Sequence, residues 1–203
     1  MIVYVETNFL LELAYLQERC DSCELILNFA KEAKITLALP AFSAVEARVT
    51  SNRRAFERRE FRESLRKHIR EISHSEPFRG LIERSSDVIT ALVAGDEEAG
   101  NRLEASIQAI EEYGITIPLT GEVISIARRY ELTYSLSAQD ALVLASVRSH
   151  ANKSTEQKCF ISQDSKAFND LGVFDELSGV RCKFLSTFTN GLEYIKSALK
   201  SAG

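Results

Sequence analysis

What constrains this chain most is an alternation of two hydrophobic periods along its length. Short, β-branched apolar runs occur at Ile2-Val3-Tyr4-Val5, Ile35-Thr36-Leu37-Ala38-Leu39, Ile115-Thr116-Ile117-Pro118-Leu119, Cys159-Phe160-Ile161-Ser162 and Val180 to Leu185. The stretches between them carry apolar residues at helical spacing. Strands alternating with helices call for an α/β fold, here a central parallel sheet of about five strands flanked by helices. Helices are expected over Asn8 to Gln17, Cys20 to Ala33, and from near Ser43 onward, with Pro40 ending the second strand. Phe61, Leu65, Ile69 and Ile72 carry the helical interval far beyond Ser43. A break is expected at Ser73 to Gly80, then helices over Leu81 to Ala94 and Asp96 to Tyr113, divided near Gly95. Further helices are expected at Val123 to Tyr130, at the segment opened by Asp140, and from about Asn190. The length suits a single domain over residues 1–203, with a helical elaboration at about 50–112. There is no repeat, low-complexity tract or long linker.

Acids punctuate this pattern. Glu6 ends the first apolar run, Glu46 follows the second, Asp140 opens a helical segment, and Asp164 closes the fourth run. All strands of a parallel sheet point one way, so residues at their carboxyl ends gather in one crevice. Carboxylates gathered without cations repel one another, and a divalent metal held by oxygen ligands is the usual remedy. A hydrolase acting on phosphodiesters is the chemistry this suggests. Each acid also has an ordinary structural explanation. Ser43-x-x-Glu46 and Ser137-x-x-Asp140 fit capping boxes, Asp164 could cap a short following helix, and Glu6 could face water at a strand end. The joint placement favours the site. Asn8, Ser137 and Ser162 are short hydrogen-bonding neighbours able to orient carboxylates or a metal-bound water.

Charge is distributed unevenly. From Arg48 to Arg70 nine Arg or Lys stand against three Glu, an excess of six positive charges on a chain of formal net charge −4. Arg54, Arg58, Arg62, Arg66 and Arg70 recur at i, i+4, a stripe that drifts slowly around a helix because four residues exceed one turn. It could track a nucleic-acid backbone through phosphate contacts. It could equally be a solvated face partly neutralised by Glu57, Glu60 and Glu63, with Glu63 and Lys67 as an i, i+4 pair, or a docking surface for an acidic partner. Cys20 and Cys23 form a CxxC with no second pair to complete a zinc site; helix-face thiols are the favoured reading over a redox pair. Cys159 and Cys182 read as small buried hydrophobes. His68, His74 and His150 are scattered. No apolar stretch approaches the roughly 20 residues of a membrane helix, and no signal precedes the first run, so no membrane partner and a cytoplasmic location are expected.

The acidic segments resemble a known family. Val5-Glu6-Thr7-Asn8-Phe9-Leu10-Leu11 resembles the opening motif of PIN domains, and Ser43-Ala44-Val45-Glu46 their second acidic motif. Leu136-Ser137-Ala138-Gln139-Asp140-Ala141-Leu142 is the most specific match, to the third motif, and Phe160-Ile161-Ser162-Gln163-Asp164 is similar to the fourth. The resemblance spans nearly the whole chain except about 50–112. It implies a Rossmann-like PIN fold with an enlarged helical middle segment and a metal-dependent ribonuclease site. Glu6, Glu46, Asp140 and Asp164 would be the catalytic quartet, and Glu6, Asp140 and Asp164 the ligands of Mg²⁺ or Mn²⁺. Asn8 and Ser162 would support them; beside the resemblance, Ser137 reads as a further supporting residue and the stripe Arg54, Arg58, Arg62 and Arg66 as a face for RNA. Many bacterial members are toxins of toxin–antitoxin pairs and similar proteins commonly dimerise, so an antitoxin protein and a homodimer are further implied partners.

One departure stands out: the first acid is usually Asp, and here it is Glu6. The added methylene moves the carboxylate outward, and Mg²⁺ demands near-ideal octahedral geometry. A PIN-like module that binds RNA or a protein partner without cutting is therefore the alternative. A haloacid-dehalogenase-type phosphatase also places acids at strand ends, but needs Asp two residues after a nucleophilic Asp; Glu6 and Asn8 occupy those positions, which ranks it lower.

Overall fold

The computed structural model describes residues 1–78, 81–168 and 170–202. Five parallel strands form one sheet: β1 (Ile2–Tyr4), β2 (Thr36–Pro40), β3 (Ile115–Ile117), β4 (Lys158–Ile161) and β5 (Cys182–Leu185), in the order β3-β2-β1-β4-β5. β1 is central, with Tyr4 opposite Ala38 on one side and Phe160 on the other. The chain first lays strands outward through β2 and β3, then returns across β1 to add β4 and β5. The order reverses between β1 and β4, and a crevice opens at the carboxyl ends of two strands whose connections diverge.

Alternation along each strand separates two apolar layers. Val3, Val5, Leu37, Leu39, Cys159 and Ile161 face one side, against α1 (Thr7–Tyr15), α2 (Cys20–Lys31) and α9 (Phe188–Ala202). Ile2, Tyr4, Ala38, Ile117, Phe160 and Cys182 face the other, against α5 (Gly121–Tyr134), α6 (Ala138–Ala151) and α8 (Leu171–Gly179). Helix α9 approaches β4 so closely that a Cβ on Gly191 would lie 2.9 Å from Ile161 Cγ1. The sheet is thus covered on both faces, as parallel sheets require.

Two long helices, α3 (Ala41–Ser73) and α4 (Leu81–Tyr113), build the middle segment; a 3-10 turn at Glu76–Phe78 follows α3. The expected break at Ser73 to Gly80 coincides with that turn, although Arg79 and Gly80 lie outside the described residues. The division expected near Gly95 is absent: α4 runs through it unbroken. Nothing lies within 4 Å of where a Gly95 Cβ would stand, so the glycine is simply an exposed helical position. Its intrinsic cost of about 1 kcal/mol is outweighed by burial of Ile89, Ala99, Leu103, Ile107 and Ile110 along the same helix. Other boundaries shift modestly. β3 ends at Ile117, α5 continues to Tyr134, α9 begins at Phe188, and α8 forms where no helix was expected. Asp170 caps α8, its Oδ1 accepting from the Gly172 N–H at 2.8 Å.

Ion pairs bind α3 to α4. Arg48 grips Glu104 through two bonds of 2.7 and 2.6 Å, and Arg58 and Arg62 share the two oxygens of Asp96. Arg102 ties α4 to α1 by donating from Nε to the Ala14 carbonyl at 2.8 Å. These contacts fix the middle of α3 beside the end of α1, which matters for the cavity below.

Candidate active site

Immediately after β1, Glu6 caps α1: its Oε2 accepts from the Asn8 backbone N–H at 2.8 Å. Its Oε1 accepts from Ser162 Oγ at 3.2 Å, a buried bond from the end of β4. Ser162 Oγ in turn accepts from the Asp164 N–H at 3.0 Å, while Asp164 Oδ1 accepts from the Ala167 N–H at 3.0 Å in the short helix α7 (Ser165–Phe168). Ser137 caps α6 by accepting from the Asp140 N–H at 3.1 Å and donates to Asp140 Oδ2 at 2.5 Å. The local capping roles read from sequence therefore exist for Asp140 and Asp164, and Glu6 is a buried cap rather than a water-facing strand end.

Glu46 differs. Helix α3 starts at Ala41, directly after Pro40, so Ser43 is already inside the helix and cannot cap it. Ser43 Oγ is buried and without a hydrogen-bond partner. The capping-box reading of Ser43-x-x-Glu46 fails on that register. Glu46 turns instead towards Thr7, whose hydroxyl donates a short hydrogen bond to Oε2.

All four acids line one cavity of about 210 Å³ at the reversal between β1 and β4. Asn8 lines it too, with Thr7, Leu11, Thr50, Arg54, Val143 and Phe168. Ser162, buried, and Ser137, exposed, are each bonded to one of the acids. Burial is the main cause pushing the Glu6 carboxyl up to about 7; its bonds from Asn8 and Ser162 oppose the shift, and the nearby Glu46 adds to it. Burial also raises Glu46, assisted by Asp140, and raises Asp140, assisted by Asp164. Burial thus dominates all three shifts, with the neighbouring carboxylates adding a smaller contribution in the same direction.

The donor set is all oxygen and acidic, and suits a hard divalent cation such as Mg²⁺ or Mn²⁺. Among the described residues, however, no three Asp, Glu, His or Cys side chains converge in a group that could hold a metal ion. Their oxygens are turned to Asn8, Ser162, Thr7, Ser137 and the α7 backbone instead. The chemistry fits a metal: each oxygen that accepts one hydrogen bond keeps a second lone pair, and closing the group requires the side chains to turn these towards one point.

Of the basic stripe, only Arg54 reaches the cavity. Its guanidinium lies 4.9 Å from the centre of the Tyr15 ring, with that of Arg58 5.2 Å from the same ring. Arg58 and Arg62 are paired with Asp96 on α4, Arg66 is exposed, and Glu63 pairs with Arg59 at 3.4 Å in place of the expected Lys67. Thr50 and Arg54 were not assigned to the cavity from sequence, although the signal was available: Glu46, Thr50 and Arg54 repeat at four-residue intervals on one helix face. Thr7 follows Glu6 directly. Phe168 and Val143 carried no chemical signal.

The thiols are inert. Cys20, Cys23, Cys159 and Cys182 are all free and buried, and burial raises every one of their pKa values, against the thiolate a redox pair needs. Among the described residues no helix is long and apolar enough to cross a membrane.

A family model described as PIN domain matches residues 3–168 of the chain, which takes in all four acids and the long helices between them. No curated protein matches it.

Proposed function

Because the chain belongs to the PIN domain family, whose members are typically nucleases, we propose that it is a metal-dependent endoribonuclease that hydrolyses RNA phosphodiester bonds in the acidic cavity. The observation that carries this reading is the meeting of Glu6, Glu46, Asp140 and Asp164 in one cleft at the strand-order reversal. In it, Glu6, Asp140 and Asp164 would hold Mg²⁺ or Mn²⁺. The ion, when bound, supplies a water of lowered pKa and balances charge on the scissile phosphate and leaving oxygen.

The remaining work falls to the protein's own groups. Ser162 and the Asn8 N–H orient Glu6, and Ser137 orients Asp140. Thr7 occupies Glu46 Oε2, which leaves Oε1 to accept a proton from the attacking water. Of the basic stripe of α3, Arg54 attracts the RNA backbone at the cleft, while Arg58 and Arg62 are engaged with Asp96 on α4. The toxin role, an antitoxin partner and a homodimer rest on the family resemblance, and growth arrest upon expression of the native chain but not of Asp140→Asn is the outcome a toxin would give.

A second reading has its own support. Both oxygens of Glu6 already accept a hydrogen bond, from Asn8 and Ser162, which leaves each one lone pair and restricts the direction from which it can meet a metal ion. A PIN domain that binds RNA without cutting follows if that direction does not suit the ion. Incubation of single-stranded RNA with the native chain and Asp140→Asn, with Mn²⁺ or a chelator, separates the readings. Internal cleavage confined to the native chain with Mn²⁺ is expected; equal cleavage by Asp140→Asn contradicts the assignment of the quartet, and binding without cleavage selects the second reading.

A further inference from the structure

We infer that Arg54 and Thr50, with Tyr15 behind them, form a subsite for a single phosphate of the substrate backbone, and that the rest of the arginine stripe takes little part. This rests on the nuclease reading above and sharpens where the RNA is gripped. Arg54 is the one cation among the cavity-lining residues, on the same face of α3 as Thr50 and Glu46. Among the described residues no carboxylate lies within ion-pair distance of it. Eight residues separate it from Glu46, roughly 12 Å along the helix axis. It therefore does not neutralise the acids; it stands at the rim with its charge unspent.

The neighbouring arginines are in a different state. Arg58 and Arg62 both bond Asp96, and Arg62 donates further to the Leu92 carbonyl at 3.4 Å. Asp96 and Arg62 are largely buried, only 12% and 13% exposed, so this pairing belongs to the α3–α4 interface. Two guanidiniums within 6 Å of one tyrosine would ordinarily repel. Here Asp96 balances one of the two charges of Arg58 and Arg62, and the ring holds Arg54 in reach of the cavity. Tyr15 is itself fixed, its hydroxyl donating to Ser51 Oγ at 3.1 Å. A planar guanidinium held on a rigid ring loses little freedom when it takes up a phosphate. Tyr15 is a positioning residue acting through Arg54.

The test is binding of a short, single-stranded 2′-O-methyl oligonucleotide with cleavage-resistant linkages, in Mn²⁺ over a range of salt. Arg54→Gln should weaken binding about tenfold and lower the slope of log Kd against log salt by about 0.7, the contribution of one single-strand phosphate. Arg58→Gln, which leaves Arg62 paired one-to-one with Asp96, should lower the slope by less than Arg54→Gln does. Tyr15→Leu should weaken binding in the native background and add nothing to Arg54→Gln, a coupling that general damage to the fold would not give. An unchanged slope in Arg54→Gln, a larger loss of slope in Arg58→Gln, or no binding by the native chain overturns the subsite. Because binding is read without cleavage, an Arg54-dependent slope in a chain that never cuts leaves the subsite standing and removes the nuclease reading. A native chain that cuts while Arg54→Gln keeps its slope does the reverse.

Discussion

At the scale of single residues, Glu6 carries the sharpest consequence. Its carboxyl is 5% exposed and burial pushes its pKa up to about 7 from an unfolded value of 4.5. The folded state therefore holds this proton more tightly than the unfolded chain does. The resulting stabilisation is complete below about pH 4.5 and is lost as pH rises to about 7; above that, a buried charge costs up to roughly 3 kcal/mol. Glu6→Gln should relieve that cost. The amide oxygen can accept from the Asn8 N–H, and the amide nitrogen can donate to Ser162 Oγ, so both native bonds have a replacement. In chelator, the variant should unfold at higher temperature than the native chain at pH 8, with the gap closing near pH 4. A gap independent of pH would mean that Glu6 is not held in the environment described. All four acids were legible in the sequence because each follows or opens a recognisable apolar segment. Thr50 and Tyr15 were not, since a threonine inside a helix and a tyrosine at the end of one have many ordinary uses.

At the scale of elements, glycines separate what local pattern can and cannot tell. A glycine between two apolar-periodic stretches reads as a break, which is how Gly95 divided a helix in the sequence. The structure instead keeps α4 continuous, with open space around the position. Gly95→Ala should therefore stabilise the protein by about 0.5–1 kcal/mol, from helix propensity alone. Gly191→Ala should destabilise it, because the new methyl meets Ile161 on β4. Thermal unfolding of the two variants should shift in opposite directions; a loss of stability in Gly95→Ala would mean that α4 is bent or broken there. The same limit explains Ser43. The serine-to-acid spacing of a capping box is present, but the helix begins two residues earlier, after Pro40, and burial of Ser43 follows from that register. Helix α8 escaped notice because its sequence, Leu171 to Gly179, is short and opens with an exposed Leu171.

At the scale of the whole molecule, the fold class was legible and the strand order was not. Alternating periods announce parallel strands and covering helices, yet nothing local in Ile2 to Tyr4 indicates that it pairs with residues 158–160. That long-range pairing creates the reversal beside β1, and the reversal brings Glu6 against Ser162 and Asp164 while α3 and α6 deliver Glu46 and Asp140. Burial, with a smaller contribution from the neighbouring carboxylates, raises the pKa values of Glu46 and Asp140 in this cleft, and a cation that binds only the folded chain should stabilise it. The most direct test is therefore thermal unfolding during a Mn²⁺ titration of the native chain and of Asp140→Asn. The account predicts a melting temperature of the native chain that keeps rising with Mn²⁺ above Kd, with about 3 kcal/mol of stabilisation at a hundredfold excess, and no such rise in Asp140→Asn. Equal stabilisation of both proteins, or none in the native chain, would contradict a metal site built on Glu6, Asp140 and Asp164.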